Sequence, residues 1–201
     1  MTVSIVAYGL GNLGSVENML RRVGARSVLV RTPEEVLESE RLLLPGIGAF
    51  DAGMRRLNEQ GLTPAIKEFA SLGLPVFGIC LGMQLLLDSS EEGTEPGLGL
   101  ISGTSVQFPE EANLRVPHMG WNVVEPVHDD PLIAGLETDS RFYFVHSYKV
   151  VPKYDEHVLG VTDYGGPFAS MIRSENIMGA QYHPEKSHAF GMRVLSNFAA
   201  L

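Results

Sequence analysis

The sequence predicts a doubly wound α/β fold, with a mostly parallel sheet flanked by helices and added antiparallel strands in its second half. Three observations carry this. Strand-like and helix-like segments alternate from Val3 to Leu87, the order that builds βαβ units. The strands there are apolar at every position, as in a sheet covered on both faces. Beyond Ser89 the segments shorten and turn residues separate them, which favours hairpins.

The elements follow in order. Val3–Tyr8 reads as the first strand. Val16, Met19, Leu20 and Val23 recur at helical spacing, and Gly24 ends that helix. Val28–Val30 is the second strand. Thr32-Pro33-Glu34-Glu35 supplies an N-cap, a proline at N1 and a capping-box glutamate. Leu42–Leu44 is the third strand. Thr63-Pro64 opens a helix with Ile66, Phe69 and Ala70 on its inner face and Gly73 at its end. Leu74–Phe77 is a buried strand, and Met83–Leu87 starts the next helix. Glu91–Gly103 is loop-rich. Strands are expected at Ser105–Phe108, Asn122–Glu125, Phe142–Val150, His157–Thr162, Ala169–Arg173 and Ile177–Gln181. Phe190, Val194, Leu195 and Phe198 mark a C-terminal helix. No repeat or linker interrupts the 201 residues, so one domain spanning 1–201 is expected.

Composition narrows the function. With 44% hydrophobic residues the chain can bury a core. A net charge of −9 with dispersed acids argues against nucleic acid as a partner. The single cysteine, Cys80, cannot form an intramolecular disulfide and fits a reducing compartment. Met1–Ile5 has no basic n-region, and Leu74–Leu87 falls short of the ~20 apolar residues of a membrane span. A cytoplasmic protein without membrane contact is expected.

Cys80 lies in Gly78-Ile79-Cys80-Leu81-Gly82, between the apolar strand and the following helix. Strand, sharp turn and helix with a nucleophile between glycines is the cysteine form of a nucleophile elbow. The glycines would let the backbone turn and a substrate approach. The helix N-terminus would favour the thiolate. Free cysteines more often serve as small buried hydrophobes, so the elbow needs a base. Gln181-Tyr182-His183-Pro184-Glu185-Lys186 supplies one. On an extended backbone, residues i and i+2 share a face. Glu185 can then accept the Nδ1 proton of His183 and leave Nε2 for Cys80. Pro184 would forbid helix there.

Other histidines compete. His146 stands at a strand end and could line the same cleft, and His118 precedes Met119-Gly120-Trp121-Asn122. His128 and His157 have the look of surface residues. His183 and His188 are out of phase for a shared helical face, so no metal is expected. Gly46, Ile47 and Gly48, directly after the third strand, can turn backbone N–H groups toward an oxyanion, with the amide of Leu81 as the second donor. An ordinary strand-to-helix turn would favour the same glycines. Gly9-Leu10-Gly11-Asn12-Leu13-Gly14 matches a dinucleotide-binding run. The acidic residue expected ~20 positions on falls near Glu34, already used in a helix start. A dinucleotide-binding module stays open as an alternative.

Taken together, these segments resemble a class I, triad-type glutamine amidotransferase, with a flavodoxin-like sheet. More closely, the chain is similar to the glutaminase subunits of imidazole glycerol phosphate synthase. The matching stretches are Tyr8–Leu13, Leu44–Phe50, Gly78–Gln84, His118–Asn122, Tyr143–Tyr148 and Gln181–Lys186. The elbow and His183-Pro184-Glu185 belong to the wider class, and the others point to the subfamily.

The resemblance implies that Cys80 attacks the side-chain amide of glutamine. His183 would protonate the departing ammonia and Glu185 would hold the imidazole. Gly46–Gly48 and Leu81 would stabilise the oxyanion. Gln84 would contact the substrate, and backbone near Ser147 and Tyr148 would hold its amino-acid end. Ammonia would pass to a (β/α)8-barrel cyclase subunit that forms imidazole glycerol phosphate and an aminoimidazole carboxamide ribonucleotide. Asn12, Trp121, Tyr143 and Lys186 would meet that partner, Lys186 through an acid on it. No cofactor is implied. A stand-alone cysteine hydrolase with the same triad, or a glutaminase subunit of another synthase, would share most of these residues.

Overall fold

A computed structural model describes residues 1–109 and 114–201. The first half runs β1 (Thr2–Val6), α1 (Leu13–Arg22), β2 (Arg26–Val30), α2 (Pro33–Leu37), β3 (Leu42–Gly46), α3 (Phe50–Glu59), α4 (Leu62–Ser71), β4 (Val76–Cys80) and α5 (Leu81–Leu85). The second half is mostly strands: β5 (Ser89–Ser90), β6 (Gly103–Gln107), β7 (His118–Val123), β8 (Glu125–Pro126), β9 (Arg141–His146), β10 (Tyr148–Pro152), β11 (Val158–Asp163), β12 (Pro167–Ser174) and β13 (Ile177–Ala180). The helix α6 (His188–Ala200) closes the chain.

The main sheet has the order β2-β1-β3-β4-β13-β12-β10-β6-β5, with β11 beside β12 and β8 beside β11. From β2 to β13 all neighbours are parallel, and β12, β10 and β6 continue antiparallel. The mostly parallel sheet with antiparallel additions is the expected one. Alternate strand residues feed opposite faces. Val3, Ile5, Leu43, Phe77 and Ile79 pack with α1 and α6. Val6, Leu42, Leu44 and Val76 pack with α2 to α5. Both faces are covered, so the strands need apolar residues at every position. At α2 the expected capping box forms: Thr32 Oγ1 accepts from Glu35 N at 3.3 Å, and Glu35 Oε2 accepts from Thr32 N at 3.2 Å.

Three sequence expectations need correction. The run Phe142–Val150 is two strands in two sheets. It breaks at Ser147, so that β9 pairs with β7 in a separate hairpin-like sheet while β10 joins β6. The strand expected at Asn122–Glu125 starts earlier, at His118, because the register His118↔His146 to Val123↔Arg141 lays β7 along all of β9. Helix α3 was not expected, although Phe50, Gly53, Met54 and Leu57 bury one face at helical spacing.

Register places the chemistry. Gly46 pairs with Cys80 across β3 and β4, and Ala180 pairs with Ile79 across β13 and β4. The loop after β3, the elbow after β4 and the segment after β13 therefore leave the sheet side by side. They leave at the carboxyl ends of parallel strands, where such sheets open their crevices.

Candidate active site

The turn after β4 concentrates its strain on Cys80 itself. Cys80 has φ 55 and ψ −111, the left-handed side that non-glycine residues avoid. The flanking glycines serve the tight turn as expected, through close packing rather than through left-handed backbone angles. Neither Gly78 nor Gly82 has positive φ. A Cβ on Gly82 would collide with the Leu44 carbonyl, and one on Gly78 would come within 2.6 Å of the Gly82 oxygen. They let α5 lie directly against β3 and β4, which keeps the Cys80 turn tight.

His183 follows β13. Its Nδ1 lies 2.8 Å from Glu185 Oε1, and the two side chains are only 3% and 2% exposed. The pairing is the expected one, but its route differs. Pro184–Lys186 forms a 3-10 turn with Pro184 at its first position, so proline starts a helical turn here rather than preventing one. Ser187, absent from the sequence expectations, clamps this turn. Its hydroxyl donates to His183 O at 2.6 Å and accepts from Tyr143 N at 3.0 Å. His183 N in turn donates to Tyr143 O at 2.9 Å.

His183 Nε2 is buried and has no hydrogen-bond partner. Burial alone would lower the pKa of this imidazole. Contacts with Cys80 and Glu185 outweigh that and raise it to about 9. The thiol faces the ring, yet its own hydrogen bond goes to Val145 O at 3.9 Å. The imidazole and the thiol are thus neighbours with no hydrogen bond between them.

A cavity of about 390 Å³ opens beside Cys80. Ile47, Gly48, Leu81, Gln84, Ser147, Tyr148 and His183 are among the residues that line it. Gly48 has φ +97 and open space at its missing Cβ. Gly46 is packed tightly instead, since a Cβ there would come within 2.8 Å of both Leu81 Cβ and Tyr8 Oη. Tyr8 is buried and its hydroxyl donates to Pro45 O at 2.9 Å, bracing the loop. Burial first, and then the nearby Cys80, keep that phenol protonated.

Glu92 was not singled out in the sequence, because its loop carries no periodic signal. It lines the same cavity and accepts from Phe50 N, at the start of α3, at 2.8 Å. Asp51 ties down the rest of that loop by accepting from Thr94 N and Glu95 N at 2.9 and 3.0 Å.

Of the two competing histidines, His146 lines the cavity as expected, but both rings are engaged with each other. His146 Nδ1 lies 2.8 Å from Tyr148 O, so it carries the proton there, and Nε2 accepts from His118 Nδ1 at 2.9 Å. His118 Nε2 then accepts from Asn122 Nδ2 at 3.3 Å. Both rings are neutral. Burial lowers His118 to about 4. For His146, burial lowers the pKa to about 3 against a raising contact with Tyr148, with His118 and His183 lowering it further. Folded-state values below the ordinary 6.5 mean that the unfolded chain takes up protons first as pH falls. Stability from this pair is thus present above pH 6.5 and is lost on acidification toward about 4. His183, raised to about 9, has the opposite sign: its contribution is full below 6.5 and is lost as pH rises through 9. His146→Gln is expected to flatten the acid limb of denaturation midpoints measured by urea titration. An acid limb as steep as in the unaltered chain would disprove the assignment.

The expected partner residues lie on one side. Trp121, 47% exposed, stacks on His188 with centroids 5.2 Å apart and meets Tyr143 edge-on at 5.9 Å. Lys186 Nζ sits 5.5 Å over the Tyr143 ring. Exposed Asn12 precedes α1, whose Ser15 shares a cleft with Lys186. His128 is exposed, whereas His157 is half-buried with an unpartnered Nδ1. No metal-binding cluster and no helix long and apolar enough to cross a membrane occur among the described residues. The glycine run after β1 does not build a dinucleotide site. Gly14, which should pack closely against a strand there, is exposed with nothing within 4 Å of its missing Cβ.

A family model described as glutamine amidotransferase class-I matches residues 5–200. The chain is 46% identical over 200 residues to imidazole glycerol phosphate synthase subunit HisH 2 of Pseudomonas aeruginosa, covering 99% of each. It is also 46% identical over 200 residues to subunit HisH of Sulfurimonas denitrificans, covering 98% of this chain and 96% of that one. Among solved structures, PurLQS from Thermotoga maritima superposes with a TM-score of 0.76 at 20% identity, over 98% and 96% of the two chains. A structure described as a glutamine amidotransferase gives 0.74 at 20% identity over 99% of both. These last two speak for the fold.

Proposed function

The chain belongs to the class I glutamine amidotransferases, as a HisH-type glutaminase subunit of imidazole glycerol phosphate synthase in histidine biosynthesis, and on that footing we propose that Cys80, His183 and Glu185 hydrolyse glutamine for a cyclase partner. The supporting observation is the meeting of a strained Cys80 with a buried His183 whose Nε2 is free and whose Nδ1 is held by Glu185.

The thiol gives its proton to His183 Nε2, the state that the raised pKa of this imidazole favours at neutral pH, and the thiolate attacks the side-chain carbonyl carbon of glutamine. The oxyanion rests on backbone N–H groups of the Gly46–Gly48 loop and Leu81. The C–N bond breaks as His183 returns its proton to the leaving nitrogen, releasing ammonia and a γ-glutamyl thioester. A water then gives a proton to His183 and attacks the thioester, yielding glutamate and the thiol. Glu185 keeps the imidazole in one tautomer and stabilises its charged form.

Substrate contacts follow from which groups remain uncommitted. Gln84 Nε2 already donates to Tyr148 O and Gln181 Oε1, at 3.3 and 3.1 Å. Gln84 therefore offers the substrate its Oε1. The Tyr148 carbonyl accepts from both His146 and Gln84, and Ser147 O accepts from Phe108 N. The Tyr148 carbonyl is thus filled, whereas Ser147 O keeps a lone pair for the α-ammonium, and the carboxylate of Glu92, which lines the same cavity, joins it there.

Ammonia leaves toward a (β/α)8-barrel cyclase docked over Asn12, Trp121, Tyr143 and Lys186, where an acid on the barrel draws Lys186 off the Tyr143 ring. The whole of 1–201 acts as one glutaminase domain in the cytoplasm, where its single thiol stays reduced. The test is glutamate release by the purified chain with and without the cyclase and its nucleotide ligand, with intact-mass detection of a γ-glutamyl adduct on Cys80 after acid quench. Partner-dependent release with the adduct supports the reading. Equal release without the partner would show a stand-alone hydrolase, and no adduct would remove the thioester route.

A further inference from the structure

One more buried side chain reaches the sulfur. Gln181, fully buried at the end of β13, donates from Nε2 to Cys80 Sγ at 3.8 Å. Its other end accepts from Gln84 Nε2 at 3.1 Å, and Gln84 Nε2 also donates to the Tyr148 carbonyl. A carbonyl can only accept. Tyr148 O therefore sets which end of Gln84 is the amide nitrogen, Gln84 sets which end of Gln181 is the oxygen, and Gln181 is left with its N–H pointing at sulfur. Neither amide can turn over without breaking two hydrogen bonds inside the protein.

We propose that Gln181 is a further catalytic residue: its locked amide donates to the Cys80 sulfur and stabilises the thiolate relative to the thiol. The proposal rests on Cys80 being the nucleophile. A thiol sulfur is a weak acceptor and a thiolate a strong one, so the donor favours the charged form. In the resting thiol the S–H points to Val145 O while Gln181 already faces the sulfur from another side. When the S–H bond breaks and the proton moves to His183 Nε2, the sulfur anion has two donors, His183 and Gln181. The contact shortens as charge develops. Gln84 is a positioning residue in this scheme, acting on the sulfur through Gln181 while its own Oε1 faces substrate. The same amide chain thus ties substrate recognition to nucleophile activation.

The test is the pH dependence of Cys80 alkylation by iodoacetamide, which needs neither glutamine nor a partner. It fails independently of the glutaminase reading, which glutamate release decides. Gln181→Met keeps length and burial but removes the donor. Its half-maximal alkylation pH is expected to rise by about one unit. Gln181→Glu keeps an acceptor for Gln84 but sets an oxygen against the sulfur, and is expected to rise further. In both, kcat for glutamine falls more than KM changes, whereas loosened packing alone would admit water to the sulfur and lower the alkylation pH rather than raise it. Two folded variants with the unaltered alkylation profile would overturn the proposal. If neither variant folds, the Gln181 side-chain amide signal is followed by nitrogen-15 NMR in the unaltered protein. A shift that tracks the ultraviolet thiolate absorbance supports the proposal, and one that ignores it overturns it.

Discussion

Cys80→Ala is expected to lose glutamine hydrolysis to background, a fall of at least about 10⁴-fold, because loss of the nucleophile leaves only binding and the oxyanion donors. Glu185→Gln belongs to the same test. It is nearly isosteric, yet an amide in place of the carboxylate no longer stabilises the charged imidazole and can hold the wrong tautomer, so a loss of about 10³ to 10⁴ is expected. The elbow adds a stability signature. Cys80 sits at φ 55, where any Cβ is strained and glycine is not. Cys80→Gly should therefore melt no lower than Cys80→Ala, although glycine normally costs about 1 kcal/mol relative to alanine. Both variants should be inactive. Residual glutaminase activity in Cys80→Ala at the level of the unaltered chain would discard the mechanism. A Cys80→Gly melting point well below that of Cys80→Ala would discard the strain.

The second large effect concerns folding. Gly82→Ala is expected to destabilise by about 3 kcal/mol or more, since its Cβ meets the backbone carbonyl of Leu44, which no rotamer change can move aside. In a domain of this size that corresponds to a melting point lower by about 10 °C. Gly14→Ala is the control. Gly14 lies in the first turn of α1 with negative φ and open space around it, so alanine should stabilise by about 0.5 kcal/mol. Differential scanning calorimetry of the two variants separates these outcomes. Equal melting points would mean that α5 is not held against β3 as described.

Much of this was legible from local pattern. Continuous apolar strands, the Thr32-Pro33-Glu34-Glu35 cap and the Cys80 turn report interactions within a few residues, and local sequence encodes those. Helix α3 is legible too, at Phe50, Gly53, Met54 and Leu57, although the glycines just before it read as loop. The break at Ser147 was not legible. Tyr143–Tyr148 is uniformly strand-like, and only pairing with β7 on one side of the break and β6 on the other divides it.

By itself, then, the sequence determined the fold class and singled out the proposed nucleophile, base and base's partner. Each stands in a short motif whose spacing encodes its geometry. Tertiary structure alone decided the rest. Gln181 and Cys80 are 101 residues apart, and Gln84 and Tyr148 are 64. His118 and His146 could each have been the base, until the Tyr148 carbonyl and Asn122 engaged them as a neutral pair. Glu92 enters the cavity only because Ser90 and the start of α3 hold its loop. The physical reason is common to all three. A buried polar group takes its role from whichever donors and acceptors surround it, and those come from distant strands that only the register of the sheet brings together.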